Sequence, residues 1–188
     1  MAWDPNTVIN QSDMTKFGGD KDGVFISKRI KTGKRTLHSA MNAKVGAVAG
    51  WTVRAADDKA LSTLAALLQS GSTLIIPISG LEIGDTITEF SVLGQIESGG
   101  NTVTLDADLR KLTSAAAGHA DASVGTITQV SATADTALSD ANAGKTGLTE
   151  AIAEDETFYV KLTGVTAGAS TDIEIQGIEI VTNWQPGT

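Results

Sequence analysis

The sequence predicts a mainly β protein, an antiparallel β-sandwich or jelly roll with one short helix and an extended N-terminal arm. From Trp51 onward, short runs of β-branched and aliphatic residues alternate with glycine-rich turns. Residues 1–50, in contrast, show no sustained hydrophobic period. The length of 188 residues suits one compact body with an added arm. We therefore predict an extended basic arm over residues 1–50 and a β-sandwich body over residues 51–188.

The first two elements predicted within the body are a helix and a strand. Over residues 57–69, leucines and alanines recur at helical spacing, an aspartate can cap the start, and a serine–glycine pair can end the helix. Residues 72–79 form an apolar run that predicts a strand. Its Pro77 cannot donate a backbone hydrogen bond, so the strand is expected at a sheet edge or at a bulge.

The next two predicted strands are joined by a strong turn signal at Ser98-Gly99-Gly100-Asn101. The first covers residues 85–97, and the second begins at residue 103. Such a turn predicts that the second strand returns antiparallel to the first, as in a hairpin. Alternation predicts these inward-facing side chains: Phe90, Val92, Ile96, Val103, Leu105, Ala107 and Leu109.

The C-terminal third of the chain predicts three more strands. Residues 123–131 have a mixed apolar phase, and a loop of small residues is expected over 132–150. Residues 156–163 alternate cleanly. In the last strand the apolar residues change parity at Gln176-Gly177. This change predicts a β-bulge, because one extra residue returns the following side chains to the core face.

Charge is distributed unevenly along the chain. Residues 1–50 carry eight basic and four acidic side chains, a net charge of +4, whereas the remaining 138 residues carry −12. This asymmetry favours a charged docking partner, although a solvated tail is an equally good interpretation. Val24-Phe25-Ile26 can add an apolar anchor, and a short strand that forms only with a partner. The predicted partner-binding residues of the arm are Lys16, Lys21, Val24, Phe25, Ile26, Lys28, Arg29, Lys31, Lys34, Arg35 and Lys44.

Candidate catalytic and cofactor motifs are absent or incomplete, so the sequence predicts no enzyme and no cofactor. Cysteine is absent, which excludes thiol catalysis, disulfides and cysteine-ligated metals. Gly144-Lys145-Thr146 resembles part of a phosphate-binding loop but lacks its first glycine and its flanking strand and helix. Asp106 and Asp108 share a strand face and suggest calcium ligands, yet no glycine-turned loop gathers them, so we interpret them as surface groups.

The remaining residues that merit attention are few. His38 and His119 lack the spacing of paired metal ligands. The three tryptophans suggest a sugar site, but Trp51 is better assigned to the core, and Trp3 and Trp184 to anchoring the chain ends. Nucleic acid binding is disfavoured by the acidic body. No apolar run is long enough for a membrane helix and no signal peptide is recognisable, so a soluble protein made in the cytoplasm is expected.

Residues 72–180 resemble small virion proteins of tailed phages, especially head decoration (cement) proteins. The resemblance lies in Gly84-Asp85-Thr86-Ile87-Thr88, in the stretch from Val92 through Gly99-Gly100 to Arg110, and in Ser170-Thr171-Asp172-Ile173. It implies a β-sandwich or jelly-roll body, often trimeric, that binds the major capsid protein or another virion protein on the capsid surface. The long arm and the predicted helix depart from the simplest cement proteins. A carbohydrate-recognition module on a tail or head fibre therefore stays as the alternative.

Overall fold

Two antiparallel sheets enclose one apolar core in the part of the chain that the structure describes. The structure is a computed structural model, and it describes residues 33–48, 50–54, 59–62, 72–116, 118–166 and 171–184. The predicted fold class, a mainly β antiparallel sandwich with one short helix, is confirmed for this part. No helix within these residues is long and apolar enough to span a membrane.

The strands of the first sheet are β1 (Lys34–Ser39), β3 (Trp51–Arg54), β4 (Lys59–Ser62), β6 (Asp85–Glu97), β9 (Thr136–Leu138), β10 (Gly144–Lys145), β11 (Glu150–Ala151) and β13 (Asp172–Trp184). They follow the order β10-β6-β13-β4-β3, with β1 also paired to β13 and with β9 and β11 paired to β6. The strands of the second sheet are β2 (Lys44–Val45), β5 (Thr73–Ile78), β7 (Val103–Ala115), β8 (Gly118–Ala132) and β12 (Glu156–Val165). They follow the order β2-β5-β12-β7-β8.

The long strands β6, β7, β12 and β13 supply most of the core. Their inward side chains alternate with outward ones, as the sequence predicted, and burying each large apolar side chain contributes about 1.5–3 kcal/mol. All of the inward-facing residues predicted for the first two long strands are buried. The predicted bulge is also confirmed: the register of β13 on β6 shifts between Ile175 and Gly177, and Ile173, Ile175 and Ile178 are all fully buried.

The predicted hairpin between residues 85–97 and the following strand is wrong. Strand β6 pairs with β13, whereas β7 pairs with β12 and β8, so the chain crosses from one sheet to the other at the glycine turn. Both strands have a strongly apolar face, and the crossing lets these faces meet across the core. The turn residues specify only that the chain reverses. A residue distant in the chain also stabilises the turn: the N–H of Ser98 donates to Asp135 Oδ1 at 3.0 Å.

Two other predicted elements differ in the structure. Within the predicted helix 57–69, Lys59–Ser62 forms β4, and its backbone pairs with β3 and β13, which outweighs local helix propensity; the rest of that prediction lies outside the described residues. The short helix that is described, α1, spans Asp140–Ala143. The predicted loop 132–150 instead places β9, β10 and β11 along one edge of β6, because its small side chains allow close approach.

The boundary of the predicted arm also needs revision. Residues 34–39 pair with β13, and Lys44–Val45 pairs with β5, so these parts of the predicted arm belong to the two sheets. Ala40, between them, is fully buried in the core. The sequence of this stretch is polar and without a clear period, because its strands are short and lie at sheet edges. Residues 1–32 lie outside the described residues, and an arm there stays a prediction.

Candidate functional site

The outer face of the second sheet carries a continuous set of polar side chains. Because alternate residues of β7 and β12 fill the core, the residues between them point outward. The pairing of the two strands sets Tyr159 opposite Arg110, Lys161 opposite Asp108, and Thr163 opposite Asp106. Strand β8 adds further polar residues beside β7. We name this surface the polar face; its members are Asp106, Asp108, Arg110, Asp121, Ser123, Thr126, Thr128, Tyr159, Lys161 and Thr163.

Arg110 lies at the centre of the polar face and is held by two carboxylates. Its Nη1 donates to Asp108 Oδ2 at 2.6 Å, and its Nε donates to Asp121 Oδ1 at 3.0 Å. Hydrogen bonds to Asp121 and Asp108 raise the pKa of the guanidinium, which stays charged at any accessible pH. Only 23% of the arginine side chain is exposed. The two carboxylates therefore hold Arg110 in one orientation.

Tyr159 and Ser123 extend this network on either side of Arg110. The Tyr159 hydroxyl lies 2.9 Å from each carboxylate oxygen of Asp121, to which it donates. Ser123 Oγ donates to Asp108 Oδ1 at 2.5 Å. The ring of Tyr159 is half-buried, and burial together with the Asp121 hydrogen bond raises the pKa of its hydroxyl. This network presents one aromatic ring beside ordered charged groups.

A groove of about 200 Å³ adjoins the network along the same strands. Its polar lining comes from Asp106, Asp108, Thr126, Thr128, Lys161 and Thr163. Asp106 Oδ1 accepts a 2.6 Å hydrogen bond from the backbone N–H of Gln129, a residue with positive φ at a bulge of β8. Lys161 is exposed and forms no ion pair with another described residue. The groove thus offers an exposed ammonium group, which also interacts electrostatically with Asp121, beside hydroxyl and carboxylate oxygens.

The electrostatics of the polar face suit hydrogen bonding better than proton transfer. Hydrogen bonds from Arg110 and Tyr159 lower the pKa of Asp121, so this carboxylate is ionised near neutral pH and accepts hydrogen bonds. A glycosidase acid instead needs a carboxyl group whose pKa is raised. Within the described ranges no cluster of three or more histidines, aspartates or glutamates has the geometry of a metal site.

The predicted partner-binding residues fall into two groups. Lys16, Lys21, Val24, Phe25, Ile26, Lys28, Arg29 and Lys31 lie outside the described residues. The other three lie on β1 and β2: Lys34 pairs with Glu82 at 3.1 Å, Arg35 pairs with Glu179 at 2.5 Å, and Lys44 is exposed on β2. These three cations are therefore part of the sandwich.

The other residues weighed from the sequence are also located. Trp51 is in the core, as predicted, with 5% of its surface exposed, and Gly144-Lys145 forms a strand on β6. His38 is buried in β1, where burial lowers the pKa of its imidazole, and His119 is exposed near the tip of the β7–β8 hairpin. The sequence pattern groups Asp106 with Asp108 but does not reveal Arg110, Asp121 and Tyr159 as a site, because these meet only through cross-strand register.

Comparisons with known proteins gave structural matches alone: no protein-family model matches the chain, and no curated protein does. The CBM22-1–GH10 modules of endo-1,4-beta-D-xylanase 10B from Clostridium thermocellum, complexed with xylohexaose, are 11% identical with a TM-score of 0.44, over 84% of this chain and 28% of that chain. A family two carbohydrate esterase from Cellvibrio japonicus is 10% identical with a TM-score of 0.36, over 85% and 36%.

A third structure, the CBM22-1 xylan-binding domain of Xyn10C from Paenibacillus barcinonensis, is 13% identical with a TM-score of 0.35, over 84% of this chain and 99% of that chain. The present chain thus spans only 28% of the first of these proteins and 36% of the second. Similarities this weak do not bear on the function of the polar face.

Proposed function

We propose that this chain is a non-catalytic recognition module and that its polar face binds a carbohydrate. The observation that carries the proposal is the network in which Arg110 is clamped between Asp108 and Asp121 beside the ring of Tyr159. Sugars present vicinal hydroxyl groups and an apolar C–H face. A fixed guanidinium, fixed carboxylates and one aromatic ring are complementary to both features.

The network keeps hydrogen-bonding capacity for a ligand. A carboxylate has about four acceptor sites, and each of Asp108 and Asp121 accepts only two or three of the bonds described above. Arg110 uses its Nε and Nη1 and still has donors on Nη2. Because internal bonds already order these groups, binding costs little side-chain entropy.

The charge balance of the polar face favours an uncharged, polar ligand. Three aspartates (Asp106, Asp108 and Asp121) face two cations (Arg110 and Lys161), which leaves a net charge of −1. The whole chain carries −8, so a polyanionic glycan would be repelled. A neutral oligosaccharide carries no charge that the protein would repel, and we propose this class as the ligand.

A calorimetric titration with a panel of neutral oligosaccharides tests the proposal. Tyr159→Ala and Arg110→Ala should each weaken binding at least tenfold, which corresponds to about 1.4 kcal/mol. The matched control is Arg35→Ala, which removes an arginine–carboxylate pair from the other sheet. The control should bind like the unmodified protein. Absence of binding to the whole panel, or an equal loss in the control, would refute the carbohydrate site.

The biological setting follows from the resemblance to phage virion proteins and is proposed on that basis. In this setting the module belongs to a tail or head fibre, is made in the host cytoplasm and recognises a surface glycan. Repeated copies on a particle would raise the avidity of a weak single site. A homo-oligomer, such as the trimer implied by the resemblance, would group several polar faces together.

Capsid decoration is a second candidate, and one observation favours it. Residues 33–48 carry three cations and no acidic side chain, and four of their large apolar side chains are exposed: Leu37, Met41, Val45 and Val48. Exposed apolar groups beside cations suit docking on an acidic protein surface. Undecorated heads incubated with the full chain test this role. Lattice-wide occupancy that Leu37→Asp and Met41→Asp abolish would support decoration, and absence of occupancy would refute it.

A further inference from the structure

A cleft of mixed polar and apolar lining opens at one end of the sandwich, where β5 ends and β12 begins. It has a volume of about 250 Å³. Ile78, Ile152 and Phe158, all buried core residues, form its floor, and Leu81 and Ile83 form one wall. Ile83 is 66% exposed, the highest value among the exposed large apolar residues in the described part of the chain. Ile83 and the half-buried Leu81 together give the cleft an exposed apolar wall that a partner could cover.

The rim of this cleft is acidic. Glu154 and Glu156 line it, Asp155 lies between them in the chain, and Glu82 sits between the two wall residues Leu81 and Ile83. Glu156 is already bonded to Lys111 on the core side. An occupant with an apolar centre and flanking cations would therefore match both the wall formed by Leu81 and Ile83 and the acidic rim.

Strand β1, the first described strand, begins near this cleft. Lys34, the first residue of β1, places its Nζ 3.1 Å from Glu82 Oε1. Glu82 belongs to the same short turn as Leu81 and Ile83. Lys34 itself therefore lies within the combined reach of two side chains of the cleft wall.

The residues that precede Lys34 have the required chemistry. Val24-Phe25-Ile26 is their apolar cluster, and residues 21–31 carry four cations (Lys21, Lys28, Arg29 and Lys31) against one acidic group, a net charge of +3. Ile26 and Lys34 are eight positions apart, and an extended chain of eight residues reaches about 26–29 Å. The cleft is thus within reach of the cluster in the same molecule.

We propose that Val24-Phe25-Ile26 docks into this cleft within its own chain, with the flanking cations against the acidic rim. The apolar contacts hold the segment, because ion pairs at an exposed rim are weak and are screened by salt. The docked segment covers Ile83 and neutralises part of the acidic end of the sandwich. This inference is independent of the polar face, which lies on the outer surface of the second sheet.

Engineered cysteines test the docking directly, because the native chain contains none. In the full-length chain, Phe25→Cys is combined with Ile83→Cys, and disulfide formation in dilute solution is followed by non-reducing electrophoresis. A disulfide requires the two Cα atoms to approach within about 7 Å, so a docked segment forms it rapidly. The control pair is the same two cysteines with Val24→Ser and Ile26→Ser added, which keeps the tether length and the charge and removes the apolar anchor.

Rapid formation of an intramolecular disulfide by the first pair, at least tenfold faster than by the control pair, is the expected result. Equal rates for the two pairs would overturn the proposal, as would cross-linked dimers as the main product, because these would place the segment on another copy. The glycan affinity of the polar face should not change in either case.

Hydrogen exchange gives a second measurement without cysteines. The amides of residues 24–26 should be protected in the full-length chain and should lose that protection in Ile83→Asp. Ile83 is exposed, so this substitution does not threaten the fold. Val165→Asp, at another exposed apolar position, should retain the protection. Unprotected amides in the unmodified chain would refute the docking.

Discussion

Lys111 ends the inward-facing column of β7, and its removal should destabilise the sandwich measurably. The side chain follows Val103, Leu105, Ala107 and Leu109 on the core face, at the point where the core meets solvent. Its Nζ lies 2.5 Å from Glu150 Oε1 and 2.7 Å from Glu156 Oε1. The two carboxylates neutralise the lysine charge, so a charged residue can occupy the solvent-facing end of this row of apolar side chains.

The magnitude follows from the burial of the three partners. Lys111 and Glu150 are 23% and 25% exposed, and Glu156 is 8% exposed. Lys111→Met keeps most of the apolar stem but leaves Glu156 with the backbone N–H of Ala153, at 3.0 Å, as its described donor. Losing hydrogen bonds between charged groups at a partly buried site costs about 2 kcal/mol. The midpoint of thermal unfolding should fall by roughly 4–8 °C.

The contribution of the Lys111 ion pairs to stability should also depend on pH, and this dependence tests the prediction independently. Hydrogen bonds to Glu150 and Glu156 raise the pKa of Lys111 above its usual 10.5. Burial opposes the ionisation of Glu156, yet hydrogen bonds from Lys111 and Ala153 outweigh it and lower the pKa below 4.5. The glutamate contribution is therefore present above pH 4.5 and is lost as the pH falls through the lowered pKa. The lysine contribution is lost as the pH rises through its raised pKa.

Urea unfolding of the unmodified chain and of Lys111→Met, from pH 3 to pH 8, measures both effects. The difference in unfolding free energy should be largest near neutral pH and should shrink toward pH 3. Lys161→Met is the matched control, since Lys161 is exposed on the polar face and has no ion pair with a described residue. It should change stability by less than about 0.5 kcal/mol. A difference for Lys111→Met that is equally small, or independent of pH, would refute the reasoning.

Three further predictions concern the fold. Gly94→Ala should lower the free energy of unfolding in urea by about 2–3 kcal/mol, because the added Cβ would lie 2.0 Å from the backbone oxygen of Glu174. Gly100→Ala, at a φ of +82° but in open space, should lower it by only about 1 kcal/mol. Residues 51–188 alone should unfold more easily than residues 33–188, because they lack β1 and the buried Ala40; equal stability would make the first strand dispensable. EDTA should leave the melting temperature unchanged, and a large drop would reveal a bound metal.

Local sequence patterns predicted the elements whose cause is local. The alternation in β7 and β12 arises from the two-residue period of a strand, so each inward residue could be named in advance. The bulge at Gly177 was equally predictable, because a strand that changes its apolar parity needs one extra residue to keep the same face buried. Pro77 lies at a sheet edge, as expected. Its strand β5 pairs with β12 on one side, and on the other side β2 pairs only with Leu74 and Ile75 among the described residues.

The polar face was only partly predictable. Asp106, Asp108 and Arg110 share one parity on β7, so their common face follows from the sequence. Tyr159 and Asp121 join them only because β12 and β8 flank β7 in a particular register. No pattern within any one strand contains that register.

By itself, then, the sequence determined the β content, the core-facing residues and the charge asymmetry, because each depends on neighbours along the chain. Tertiary structure alone decided which strands are adjacent: that β6 and β7 lie in different sheets, that Lys59–Ser62 is a strand, and that residues 34–39 complete the first sheet. The physical reason is that backbone pairing partners are non-local, and a short segment adopts the conformation that an unpaired neighbouring edge can satisfy.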